Sequence, residues 1–130
     1  MTTASQDVRY ILDGQSSLAL EFGTDLFIGL MPETPNLCVS LADYSGMSPD
    51  PNDYFKPSFQ VLVRGNVGEY DIAAELAESI VTVLHEYTGT PNPSGYYYAG
   101  IWLSGDITFL GVDELNRPLF SLNFRTQRRT

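Results

Sequence analysis

Few side chains in this sequence could do chemistry, and each has a simpler use. His85 is the only histidine, so neither a histidine-based metal cluster nor a two-histidine relay can be assembled. It falls in the last turn of an expected helix, where a partly cationic ring suits the negative end of the dipole. Cys38 is the only cysteine, which excludes an internal disulfide and a zinc or redox pair. Its place within Leu37–Leu41 predicts a buried, inert thiol in a strand and a chain suited to a reducing, cytoplasmic setting. Glu75, Glu78 and Glu86 could include a general acid, but their spacing puts them on the wet side of a helix, where they solvate it. Gly65 and Gly68 around Asn66 loosely suggest a phosphate-cradling turn between strand and helix. No Lys or Ser/Thr follows at the spacing such a loop needs, and Glu69 would repel the anion. The expectation is no catalytic residue, no cofactor and no metal, hence no enzyme.

The elements that would position these groups are easier to read. From Phe59 to Tyr87 the chain reads as strand, turn and one strongly amphipathic helix. Phe59, Val61 and Val63 alternate with Gln60 and Arg64, the period of a strand with one buried face. Asn66 and Glu69 are placed as an N-cap pair. Ile72, Leu76, Ile80, Val83, Leu84 and Tyr87 form the expected apolar stripe, with Ala73 and Ala77 filling in. Gly89 is the stop signal. About twenty residues in this helix would span roughly 30 Å.

An earlier helix is expected over Ser5–Leu20, opened by a Thr3/Gln6 capping box, weakened in its middle by Gly14 and ended at Gly23. Strands are expected at Leu26–Leu30 and Asn36–Ala42, with Pro32 and Pro35 breaking the ladder between them. Asp43–Pro57 reads as an extended loop, and the three aromatics and the methionine within it suit contact with a partner. A floppy strand connection is the plainer alternative. Strands follow at Tyr96–Leu103, Asp106–Asp113 and Arg117–Arg125, leaving 126–130 as a basic tail that is either a solvated end or a dock for an acidic neighbour. The fold class is α+β: a mostly antiparallel sheet of five to six strands with two helices packed on one face.

With 130 residues, 43% of them apolar, the chain predicts one globular domain over 1–130. No apolar run approaches the ~20 residues of a membrane span, and Met1–Gln6 lacks the features of a signal peptide. Seven basic against sixteen acidic residues give a net charge of −9, which argues against gripping a nucleic-acid backbone through the general surface. Such a balance serves solubility, or lets DNA slide past without sticking. Candidate contact residues are Tyr44, Met47, Asp50, Asp53, Tyr54 and Phe55 in the loop, the run Tyr96, Tyr97 and Tyr98, and Arg64, Arg117 and Arg125. For Arg64 and Arg117 the expectation is a salt bridge, inside the subunit or between subunits, with a solvated strand-end arginine as the alternative. Of three consecutive tyrosines at least one must face away from the helices, either toward a partner or in a cross-strand aromatic pair.

The succession of segments resembles the tail terminator, or minor capsid, proteins of long-tailed bacteriophages. The resemblance runs through Gly23–Pro32, Cys38-Val39, the proline-rich loop, Pro57–Arg64 with the helix after it, Asp113–Arg117 and Phe120–Phe124. It implies a tail-tube-like fold and a structural role in the virion. A hexameric ring of this chain would cap the head-proximal end of the tail tube, stop its growth and offer a surface for head attachment. The implied partners are other copies, the tail tube protein and the head-completion or connector protein, with DNA passing through the lumen and no membrane involved. The implied place is the neck of the virion, after synthesis in the host cytoplasm. Another neck protein, a tube subunit and a small-ligand-binding α+β domain are the competing readings.

Overall fold

The computed structural model describes residues 2–49 and 54–130. In chain order the elements are α1 (Ala4–Asp13), β1 (Leu26–Ile28), β2 (Cys38–Met47), β3 (Lys56–Arg64), α2 (Tyr70–Leu84), β4 (Tyr97–Leu103), β5 (Thr108–Val112) and β6 (Pro118–Arg129). The strands form one six-stranded sheet in the order β1-β2-β3-β6-β4, with β5 also on β6. Among the described strands only β1 and β2 run parallel. β4 pairs with the second half of β6 and β5 with the first half, so the two lie end to end along one side of it.

The two-residue period sets which face is buried. Phe59, Val61 and Val63 of β3 stand opposite Phe124, Leu122 and Phe120 of β6, and all six are at most 2% exposed. Phe59 and Phe124 stack with ring centroids 5.0 Å apart. Val8, Ile11 and Leu12 of α1 and Ala73, Ala77, Ile80 and Leu84 of α2 join the same core cluster. Both helices therefore cover one face, the α+β arrangement expected from the alternation.

Several boundaries differ, each for a local reason. α1 has its Thr3/Gln6 capping box but ends at Gly14, whose amide donates to Leu12 O; glycine terminates this helix instead of weakening its middle. α2 starts at Tyr70 with Glu69 as N-cap and no side-chain cap bond, because Gly68 takes a positive φ of 73° that no helix continues through. Its length is 15 residues. Its buried face centres on the small residues Ala73 and Ala77, while Ile72 is 48% exposed. Small side chains let the helix approach the sheet closely. A Cβ on Gly65 would sit 2.8 Å from that of Ala73. His85 is the C-cap, and its Nδ1 accepts the Leu103 amide at 3.1 Å. Its ring thereby ties the end of α2 to β4, with Nε2 3.6 Å from Glu86 Oε1.

Two larger expectations are corrected. The 43–57 stretch is no extended loop at its ends: β2 continues through Met47, which pairs with Lys56 at the start of β3, after a register shift between Tyr44 and Met47. The 126–130 segment is no tail either, since Thr126–Arg129 continue β6 against β4. Thr126 also donates its hydroxyl to Pro57 O at 2.7 Å.

Candidate functional site

The β2–β3 hairpin brings exposed apolar groups to one end of the sheet. Tyr44, Met47 and Phe55 are 45%, 68% and 45% exposed, and Tyr54 is half-buried. Asp50 and Asp53 lie outside the described residues. Two clefts flank the base of this hairpin, one of about 390 Å³ beside Thr3, Tyr44 and Arg128 and one of about 230 Å³ beside Met47, Phe55 and Tyr96. Gly46 lets the strands close up, because a Cβ there would lie 1.9 Å from Lys56 O. Gly46→Ala is therefore expected to spread this end of the hairpin at a cost of about 1–3 kcal/mol. Urea unfolding would measure the cost, and faster amide exchange confined to the end of β2 and the start of β3 would locate it.

The tyrosine run divides three ways. Tyr97 is 38% exposed and Tyr96 only 4%. Tyr98 is fully buried, so as a contact residue it is withdrawn: its side chain serves the interior. Its hydroxyl donates to Asp7 Oδ2 at 2.5 Å, and Arg128 Nη1 donates to the same oxygen at 3.0 Å and to the Tyr98 hydroxyl at 3.2 Å. Thr2 donates to Asp7 Oδ1 at 2.6 Å. The Arg128 guanidinium lies 3.9 Å from the centroid of the Tyr96 ring. Burial, and then the bond to Asp7, push the Tyr98 phenol well above its ordinary range. This triad joins α1, β4 and β6, and nothing in the local sequence around any of its members announces it.

Arg64 and Arg117 work as a pair at the opposite end of the sheet. Arg64 Nε donates to Asn36 O at 3.0 Å, and its Nη2 donates to Pro32 O and to Pro35 O at 2.5 and 2.8 Å. Its expected acidic partner is replaced by carbonyl groups, which the two prolines leave free by interrupting the ladder. Arg117 does form an ion pair, with Nε 2.8 Å from Asp113 Oδ2, and its Nη1 donates to Glu33 O at 2.5 Å. The backbone amide of Arg117 holds the Asp113 carboxyl below its ordinary range, with the guanidinium and the Leu115 amide assisting. Cys38, opposite Arg64 in the ladder, is fully buried. Burial raises its thiol above the ordinary range, against the pull of Arg64 and Arg117.

Arg125 is exposed on β6, its guanidinium 5.0 Å from the Trp102 ring. Arg129 repeats the arrangement over Tyr97 at 5.3 Å. A further apolar surface lies beside the N-terminal end of α2. Tyr70, Ile72, Phe109, Leu110 and Val112 are each about half exposed, and Tyr70 packs against Phe109 and Phe120 at 5.0 Å from each. The available signal was Phe109-Leu110, two large apolar residues in succession on a short strand, one of which must face away from the core. Among the described residues no group of three His, Cys, Asp or Glu could hold a metal, and no helix is long and apolar enough to cross a membrane. What the surface offers is aromatic and apolar area beside exposed charge, the materials of protein contact.

The family model described as "Bacteriophage tail terminator protein" matches residues 15–130, beginning just past α1. A solved structure titled "Virion of native gene transfer agent (GTA) particle" superposes with a TM-score of 0.77 at 16% identity, covering 98% of this chain and 96% of that one. A second solved structure gives a TM-score of 0.58 at 14% identity over 99% and 98% of the two chains. Identities this low speak for shared fold alone. No curated protein matches.

Proposed function

The chain belongs to the bacteriophage tail terminator family, and from that premise we propose that its copies close into a hexameric ring at the head-proximal end of the tail tube. The ring stops tube growth and presents a surface to the head-completion or connector protein, in the neck of the virion. Each copy acts as a single domain and carries out no catalysis. The observation that carries this reading is the exposed apolar end of the β2–β3 hairpin, with Tyr44, Met47 and Phe55 turned to solvent. Side chains of this kind gain most when a partner surface covers them. A net charge of −9 suits a lumen through which DNA slides without being held.

The test is to delete Met47–Asp53 and to complement a terminator-deficient phage with the variant. A folded protein that leaves tails overlong and headless is the expected result. Normal-length tails joined to heads would sink the hairpin's role. Filaments in place of rings, seen by electron microscopy of the purified wild-type chain, would favour a tube subunit instead.

A further inference from the structure

The two broad faces of the subunit carry opposite charge. On the outward side of α2, Asp71, Glu75 and Glu78 are exposed, and the helix contains no basic residue. The other side of the molecule is the open face of the sheet. Ladder register places Tyr44, Ser58, Arg125 and Trp102 on that face, since their neighbours Phe59 and Phe124 point into the core. Gln60 and Asn123 follow there, joined at 3.2 Å, beside a trough of about 550 Å³ that Tyr44 and Ser104 also line. Among the described strand residues turned this way there is no aspartate or glutamate, although acidic residues outnumber basic ones sixteen to seven in the whole chain.

We propose that these faces mate between copies: the acidic row of α2 in one subunit lies along the open sheet face of the next, against Arg125 and Arg129. The proposal rests on the ring reading and names the surfaces that would build the ring. Both halves of the match sit on one chain and are unlike each other, which is the requirement for head-to-tail association around a closed ring. The spacing agrees. Asp71 to Glu78 spans about 10 Å of helix, and Arg125 to Arg129 spans about 13 Å of strand. Trp102 and Tyr97 hold the two guanidinium groups from beneath, so little side-chain freedom is lost when an acid meets them. Tyr70 and Ile72 flank the acidic row, and Tyr44 stands in the same cross-strand row as Arg125 with Ser58 between them, supplying the apolar area that ion pairs at a rim need nearby. A DNA duplex is the poorer occupant: two exposed arginines neutralise few phosphates on a chain of such negative charge.

The experiment reverses charge on each face of the full chain. Arg125→Glu with Arg129→Glu, and separately Glu75→Arg with Glu78→Arg, are expected to weaken ring formation by on the order of a hundredfold, since like charges then face each other. The chain carrying all four substitutions is expected to regain rings. Light scattering and electron microscopy, alone and with tail tubes added, give the readout, and circular dichroism checks that each variant is folded. Rings unaffected by either reversal, or not recovered by the fourfold variant, overturn this pairing and leave the ring reading intact. A wild-type chain that stays single even on tubes overturns both. Retention of duplex DNA by the wild type, lost on Arg125→Glu with Arg129→Glu, overturns the pairing and gives the face to a polyanion.

Discussion

Asp7→Ala is expected to lower the free energy of unfolding by about 3–5 kcal/mol, because it leaves a charged guanidinium buried without its counter-charge. Asp7 has no accessible surface, and the Arg128 side chain retains 10% of its own. The carboxylate accepts from Thr2, Tyr98 and Arg128 together, so one substitution strips partners from three segments of the chain. Urea denaturation would measure the loss as a shift in midpoint at an unchanged slope. A loss below about 1 kcal/mol would show that water reaches Arg128 once the carboxylate is gone, and that the pair is not sealed. Tyr98→Phe gives a milder control of about 1–3 kcal/mol and isolates a pH effect. The phenol ionises at a higher pH folded than its ordinary value of 10.0. Its contribution is thus complete below about pH 10 and falls away as the pH rises further, where the unfolded chain releases that proton first. The difference in stability between wild type and Tyr98→Phe should shrink above pH 10.

The second large effect is expected at Arg64. Its guanidinium bonds three carbonyls of the 32–36 turn, and the residue is 4% exposed. Arg64→Ala removes charge-assisted bonds that the proline-interrupted backbone cannot replace, at a cost of about 1.5–3 kcal/mol. Arg64→Lys should rescue little, since an ammonium cannot reproduce a planar fork directed at three separate oxygens. Arg117 continues to hold Glu33 O, so the loosening should centre on Pro32, Pro35 and Asn36. Unfolding by urea tests the magnitude, and hydrogen exchange at Asn36 and Leu37 tests the location. Recovery of wild-type stability by the lysine variant would show that charge alone suffices there.

How far the sequence could be read is clearest along β6. Phe120, Leu122 and Phe124 announce their period openly, and the structure continues it through Thr126 and Arg128, which are also buried. The pattern became illegible at the point where the inward residues turn polar. Arg128 points inward only because Asp7, 121 positions earlier, is waiting for it, and pairing over that distance leaves no local trace. The same limit applied to Tyr98, one of three identical residues whose fates diverge by register and by Asp7. In α2 the stripe was read from the largest side chains, whereas close approach to Gly65 put alanines at its centre. By contrast, the strand at Phe59–Arg64, the capping box of α1, the burial of Cys38 and the α+β class all follow from short-range spacing. The exposed patch of Tyr70 and Phe109 needed the sheet path as well, because β5 flanks β6 beyond the end of β4.

β6 touches more of the sheet than any other strand, pairing with β3 on one side and with β4 and β5 on the other. It is also the element that follows all the others in chain order. During translation, then, β3, β4 and β5 leave the ribosome before the partner they share is made. The pairing of β3 with β6 joins segments more than fifty residues apart, so the middle of the sheet closes late and by long-range contact.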